Sequence, residues 1–225
     1  MIVKEVTIGD CRLILGDCLQ VMPLLGKVDA VVTDPPYGIA RESLKASKLG
    51  EWSKLYSKQI EWDDKAPCEA VRLSLAASNG VGVVWGGNYF NLPTKRGWLI
   101  WDKMQAHSSG HAELAWTSAD IPIRTFSYCR AQLASEGKQH PTQKPIALMQ
   151  WCLGFLPDAE TILDPFMGSG TTLVACQKLG RQGIGIELDP DYFDIACKRV
   201  DEATRQPDMF VAPQIEAPKQ EAMKV

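Results

Sequence analysis

The feature that most constrains this chain is a rhythm. Short β-type runs alternate with stretches of helical spacing along most of its 225 residues. Such alternation predicts an α/β domain with a mostly parallel sheet, because parallel strands need crossover connections and have helices on both faces. Strands are predicted over 11–15, 30–33, 82–85, 99–101, 113–116, 161–164 and 183–187, and several are continuous apolar runs, as strands covered on both faces should be. Helices are predicted over 67–78, with Asn79-Gly80 beyond it, and over 144–156, ending before Pro157. Two more cover 171–179, stopping at Gly180, and 190–204, where Asp189 suits the N-cap position.

At 45% hydrophobic content the chain has enough apolar residues for one sizeable core without disulfides or metal. Its seven cysteines are odd in number and none has C-x-x-C spacing, so neither a disulfide framework nor a zinc ribbon is expected. No apolar run is long enough to span a bilayer, and charge at Lys4 and Glu5 comes too early for a secretory signal. A cytoplasmic protein with no membrane partner is the expectation. The formal charge of −3 weighs against nucleic-acid binding, since phosphate contacts want Lys and Arg. Residues 41–60, however, carry five basic side chains against two acidic ones. One domain is expected over 1–205. Within it, 38–65 is predicted to be a mobile basic loop and 104–140 a target-recognition region, with 206–225 a disordered tail. Trp52 and Trp62 flank the basic stretch, which makes them candidates for touching a nucleic acid; core or surface packing is the ordinary role of tryptophan.

Two motifs carry chemistry. The first, Asp164-Pro165-Phe166-Met167-Gly168-Ser169-Gly170-Thr171, is a strand end, a tight turn and a helix start. Glycines there let the backbone approach a ligand, and the helix start offers free N–H groups. Asp164 ends its strand on the side where open α/β sheets bind ligands, and Glu187 ends the next strand, where a carboxylate can accept hydrogen bonds from ribose hydroxyls. No G-x-x-x-x-G-K-[ST] pattern is present, so a nucleoside triphosphate is not expected. These features point to a nucleoside cofactor and do not separate S-adenosylmethionine from a dinucleotide.

The second motif, Asp34-Pro35-Pro36-Tyr37, ends the apolar strand at Thr33. Two prolines fix φ and remove two backbone donors, leaving carbonyls free to accept. The plain alternative is a strand-ending turn, but an acid, a rigid turn and an aromatic ring are contiguous here.

Asp34–Tyr37 resembles the catalytic motif of DNA amino-methyltransferases, and Asp164–Thr171 resembles the cofactor motif of that family. His140-Pro141-Thr142-Gln143-Lys144-Pro145 is similar to a third signature, and Gly16-Asp17-Cys18 to the segment that contacts the cofactor's adenine. The segments 85–90 and 101–103 also look like bacterial or phage members. The resemblance spans about residues 10–205. It implies a Rossmann-like class I S-adenosylmethionine-dependent methyltransferase with a mostly parallel seven-stranded sheet. The order of motifs is the permuted, β-type one, catalytic before cofactor.

By this resemblance, Asp34, Pro35, Pro36 and Tyr37 form the catalytic centre. Asp164 and Phe166 hold the methionine portion of S-adenosylmethionine. Gly168, Ser169, Gly170 and Thr171 cradle the cofactor, Glu187 takes its ribose, and Asp17 with Cys18 its adenine. Lys144 pairs with the cofactor carboxylate, against the plain alternative of a solvent-exposed lysine at a helix terminus. Site-specific methylation of adenine N6 in DNA is the leading expectation and cytosine N4 the runner-up. RNA or protein methylation, a dinucleotide-dependent oxidoreductase and a non-catalytic binding module are weaker alternatives. Neither a homodimer nor a cognate restriction endonuclease is legible in the sequence, and both stay open as partners. No metal is expected, since His107, His111 and His140 form no ligand set with the scattered cysteines.

Overall fold

The computed structural model describes residues 1–39, 66–104, 111–129 and 143–205. They form a nine-stranded sheet in the order β1-β2-β9-β8-β3-β4-β6-β5-β7. The strands are β1 (Ile2–Ile8), β2 (Cys11–Gly16), β3 (Ala30–Thr33), β4 (Gly82–Trp85), β5 (Trp98–Asp102), β6 (Ala112–Thr117), β7 (Arg124–Ser127), β8 (Thr161–Asp164) and β9 (Gln182–Glu187). Five helices accompany them: α1 (Cys18–Val21), α2 (Cys68–Ala77), α3 (Ile146–Leu153), α4 (Thr171–Lys178) and α5 (Pro190–Arg205). Only β1 and β6 run against the common direction, since each pairs antiparallel with its neighbours and the remaining pairings are parallel.

All seven predicted strands are present. The sheet is wider by two edge strands, β1 and β7, which are mostly exposed. An edge strand exposes one flank and needs little apolar content, so Lys4-Glu5 and Arg124 hid them from a reading based on apolar runs.

The period-two geometry of the strands divides the core between the two faces of the sheet. Ala30 and Val32 of β3, Val83 and Trp85 of β4 and Ile162 of β8 join α3, α4 and α5 on one face. Val31, Val84 and Leu163 point the other way, towards Val21 and the α2 residues Ala70, Val71 and Leu75. Helix α5 starts as its sequence predicts: Asp189 Oδ1 accepts from Asp191 N at 2.8 Å and Tyr192 N at 3.4 Å. Such a cap is worth about 1 kcal/mol.

Topology, not sequence proximity, assembles the site. Strand β3 lies beside β8 with Val31 opposite Leu163, so the turn after β3 and the turn after β8 meet at one edge of the sheet. Among the described residues no helix is long and apolar enough to cross a membrane, and no His/Cys/Asp/Glu group could hold a metal ion. Residues 40–65, 105–110, 130–142 and 206–225 lie outside the described residues. They include most of the expected basic loop, part of the expected recognition region, the expected tail, His140, Trp52 and Trp62.

Candidate active site

A cavity of about 730 Å³ opens at the carboxyl ends of β2, β3, β8 and β9. Asp17, Cys18, Asp34, Pro36, Lys144, Asp164, Phe166, Gly168, Ser169, Thr171 and Glu187 all line it. The two motifs, more than a hundred residues apart in the chain, therefore share one wall. Of the remaining expected residues, Pro35 is buried, Gly170 caps α4, and Tyr37 lies beside Asp34.

On the β8 side, Asp164 is the hub. Its Oδ1 accepts from Thr33 Oγ1 at 2.7 Å and Phe166 N at 3.1 Å, and its Oδ2 accepts from Thr172 Oγ1 at 2.6 Å. One carboxylate thus ties the end of β3 to both the turn and helix α4. Burial pushes its pKa up to about 6, against the pull of the two hydroxyls. Gly168 and Gly170 hold φ of +51° and +80°, the left-handed region that glycine reaches without strain. A Cβ at Gly170 would also lie 2.9 Å from Ala196 Cβ, so glycine lets the turn seat directly on α5.

Glu187 ends β9 against the same turn. Its Oε2 accepts from Gly168 N at 2.9 Å, and its Oε1 from Leu188 N at 2.9 Å and Asp189 N at 2.7 Å. Burial raises its pKa to about 7, opposed by these backbone donors. Asp17 caps α1, accepting from Leu19 N at 2.9 Å, and still lines the cavity. Burial lifts the neighbouring Cys18 thiol to about 11, so it stays protonated at neutral pH.

On the β3 side, Asp34 holds two partners. Tyr37 Oη donates to Oδ1 at 2.6 Å, and Lys144 Nζ to Oδ2 at 2.5 Å. Burial and the adjacent Asp34 push the Tyr37 phenol well above its usual range, so it remains a donor. Burial also pushes the Asp34 carboxyl up, against the pull of the Lys144 ammonium. The Tyr37 ring stacks on Tyr89 at 5.1 Å and 18°. It also lies against Gly86, where a Cβ would come within 2.2 Å of the ring. That close approach explains why the turn after β4 carries glycine there.

Lys144 departs from the plain alternative given for it. It is not an exposed helix-terminal lysine, since its side chain is 5% exposed. Its ammonium also sits on protein carboxylates, Asp34 at 2.5 Å and Glu113 at 3.0 Å. Burial disfavours the ammonium, yet those two carboxylates raise its pKa to about 12.

Sequence reasoning missed three charged members of the site. Glu113 and Lys103 form an ion pair at 2.6 Å behind Lys144. Arg199 of α5 is buried and donates to Ser169 O, Ser169 Oγ and Thr171 Oγ1 at 2.6, 2.9 and 3.2 Å, clamping the glycine turn. The available signals were a lone glutamate in an otherwise apolar strand and an arginine on the apolar stripe of α5, beside Phe193, Ala196 and Val200.

Known proteins resemble this arrangement. The chain is 24% identical to the type II methyltransferase M.HpaI of Haemophilus parainfluenzae, over 85% of this chain and 74% of that protein. Its fold matches the PvuII DNA methyltransferase (cytosine-N4-specific) with a TM-score of 0.58 at 14% identity, covering 92% of this chain and 96% of the other. It also matches M1.HpyAVI, solved as a complex with SAM, with a TM-score of 0.56 at 23% identity, covering 85% and 99%. These likenesses establish a Rossmann-like methyltransferase fold. A sequence profile of the DNA methylase family, the N6/N4 class, matches residues 77–198, more than half of the chain, and the chain therefore belongs to that family.

Proposed function

We propose that this chain methylates adenine N6 in DNA, using S-adenosylmethionine. The observation that carries the reading is the shared cavity, in which the Asp34 turn and the glycine-rich turn with Glu187 face one space. Its residues suit such a cofactor. In this reading Glu187 takes the ribose, and Asp17 with Cys18 meets the adenine. Asp164 and Phe166 would hold the methionine portion, and the Gly168–Thr171 turn would cradle the cofactor. When bound, the cofactor supplies an electrophilic methyl group for direct in-line transfer.

The chain's own residues act on the amine. An exocyclic amine is a weak nucleophile because its lone pair is delocalised into the ring. Hydrogen bonds from its two hydrogens to the Asp34 carboxylate and the Pro35 carbonyl favour the pyramidal nitrogen. These acceptors bind more strongly as positive charge develops there, so they stabilise the transition state more than the ground state. Asp34 also stands ready to take the departing proton, directly or through water. A paired base hides this amine, so it must be flipped out, at a cost of a few kcal/mol. Stacking on the Tyr37 ring offsets part of that cost. An Asp-led motif supports adenine by its resemblance to the family's N6 enzymes, while the same two acceptors serve cytosine N4.

The deciding experiment incubates the protein with labelled S-adenosylmethionine and DNA and digests the product to nucleosides. N6-methyladenine is the expected product. N4-methylcytosine would replace adenine by cytosine, and label found only in RNA or protein would overturn the reading.

Glu187 adds a signed pH prediction. Three backbone donors already hold this carboxylate, so it keeps a lone pair for a ribose hydroxyl only in its ionised form, and its pKa is about 7. Cofactor affinity should therefore fall as pH drops below 7, approaching about tenfold per pH unit. Titration calorimetry between about pH 5 and 8 checks this. Glu187→Gln should bind weakly at every pH and lose the slope around pH 7, keeping only what Asp164, titrating at about 6, contributes, and a wild-type affinity that is flat with pH would remove Glu187 from the ribose site.

A further inference from the structure

Both oxygens of Asp34 already accept a donor, from Tyr37 and Lys144. Each oxygen keeps a second lone pair, but a target amine meets a carboxylate whose charge is already shared with these two donors and competes with them for it. The tightest competitor is the Lys144 ammonium at 2.5 Å, which cannot simply let go, because an unpaired buried charge costs several kcal/mol.

Strand β6 supplies an alternative partner. It runs against β4 and β5, so its first residues lie at the edge where Asp34 sits. Glu113 presents Oε2 to Lys144 Nζ at 3.0 Å, within ion-pair range, yet that oxygen makes no aligned hydrogen bond among the described residues. Its other oxygen is fixed by Lys103 at 2.6 Å, and Lys103 is itself held over the Trp101 ring. Lys144 lies between the Tyr37 and Trp85 rings, 5.9 and 5.6 Å from their centroids. Two buried cations and two half-buried anions thus stand together. Such networks are poor stabilisers, since apolar replacements are often as good or better. Their placement against Asp34 points to a role in the reaction.

We propose that Glu113 is a positioning residue: it gives the Lys144 ammonium a second seat, so that Asp34 can release it and accept the hydrogens of the target amine. The inference rests on the function proposed above. Lys103 keeps that seat in place, and Lys144 moves by a fraction of an ångström to fill the Oε2 site. Charge stays balanced throughout, with Lys144 protonated in both positions.

The groups facing Asp34 are Tyr37, Lys144, Glu113 and, one strand away, Asp164. Lys103, Tyr89 and Cys152 stand behind Glu113, Tyr37 and Lys144 respectively. Removing the Glu113 charge takes an anion away from Asp34, so its carboxyl should titrate at lower pH. Removing the Lys144 charge should move it to higher pH.

The test measures Glu113→Gln, Glu113→Asp and Lys144→Met in two ways. Single-turnover methylation of DNA across pH should show Glu113→Gln slowed about 10- to 100-fold, the scale of a misplaced catalytic group. Its cofactor affinity should be unchanged and the acid limb of its profile shifted down. Glu113→Asp should recover part of the rate, and Lys144→Met should shift the limb up. Carboxyl carbon NMR titration of Asp34, assigned by its loss in Asp34→Asn, reads the same opposite shifts without DNA. A Glu113→Gln enzyme with wild-type rate and an unmoved Asp34 titration would overturn the proposal. If the wild-type protein methylates no DNA, the proposed function fails, and the Asp34 titration alone then decides whether Glu113 and Lys144 act on this carboxylate.

Discussion

Asp34→Ala should reduce methyl transfer to DNA by about 10²- to 10³-fold, the scale seen when one preorganised group that stabilises developing charge is removed. Cofactor affinity should stay within a few-fold of wild type. The reason for the split is geometric. Asp34 touches Tyr37 and Lys144, whereas the glycine turn and Glu187 are held by Arg199, Asp164 and backbone N–H groups. Removing the Asp34 side chain therefore takes one acceptor from the amine and leaves the rest of the cavity braced. Asp34→Asn keeps the shape and one acceptor oxygen but loses the charge that attracts a nitrogen becoming positive. It should fall between alanine and wild type. Alanine also leaves Lys144 with Glu113 as its remaining carboxylate, so some thermal stability will be lost. Single-turnover rates with saturating cofactor, alongside calorimetric cofactor binding, separate the two effects. Full activity in Asp34→Ala would remove this residue from the amine.

The sheet's interior was legible because its strands are apolar on both faces: Ala30–Thr33 and Gly82–Trp85 are entirely buried. The edges were not, because β1 and β7 pack little and carry charge. Similarly, contiguous motifs such as Asp34–Tyr37 and Asp164–Thr171 announce their chemistry locally. Glu113 and Lys103 do not, since their meaning depends on an antiparallel strand bringing them to Lys144, thirty or more residues away. Lys144 shows the same limit. Its sequence position marks a helix start, but its burial and its two carboxylate partners arise only from the packing of β3, β6 and α3. Arg199 was hidden because a cation on an apolar helix stripe looks like a flaw in the pattern until the carbonyl and hydroxyls it holds are seen.

Asp164→Ala should damage both the fold and the cofactor site. Three donors converge on this buried carboxylate: the hydroxyls of Thr33 and Thr172 and the amide of Phe166. Each buried donor left without an acceptor costs about 1–3 kcal/mol. Relief from burying a carboxylate offsets part of the sum, leaving a net loss of about 3 kcal/mol. At about 2–4 °C per kcal/mol for a chain of this size, the melting temperature should fall by roughly 6–12 °C. Cofactor affinity should drop by about 10- to 100-fold, or about 1.4–2.8 kcal/mol, because the turn loses its anchor to β3. The stability loss should depend on pH in a defined direction. The folded pKa of about 6 lies above the ordinary 3.8, so the folded chain holds this proton more tightly than the unfolded chain does. Ionised Asp164 therefore weighs against folding above pH 6, and that penalty shrinks as pH falls from 6 towards 3.8. The alanine variant has no such group, so its deficit relative to wild type should widen between about pH 8 and pH 5. Thermal melts of both proteins across that range, with cofactor titrations at each pH, measure every term. A variant that melts with wild type and binds cofactor equally well would show that the two motifs are not joined through this carboxylate.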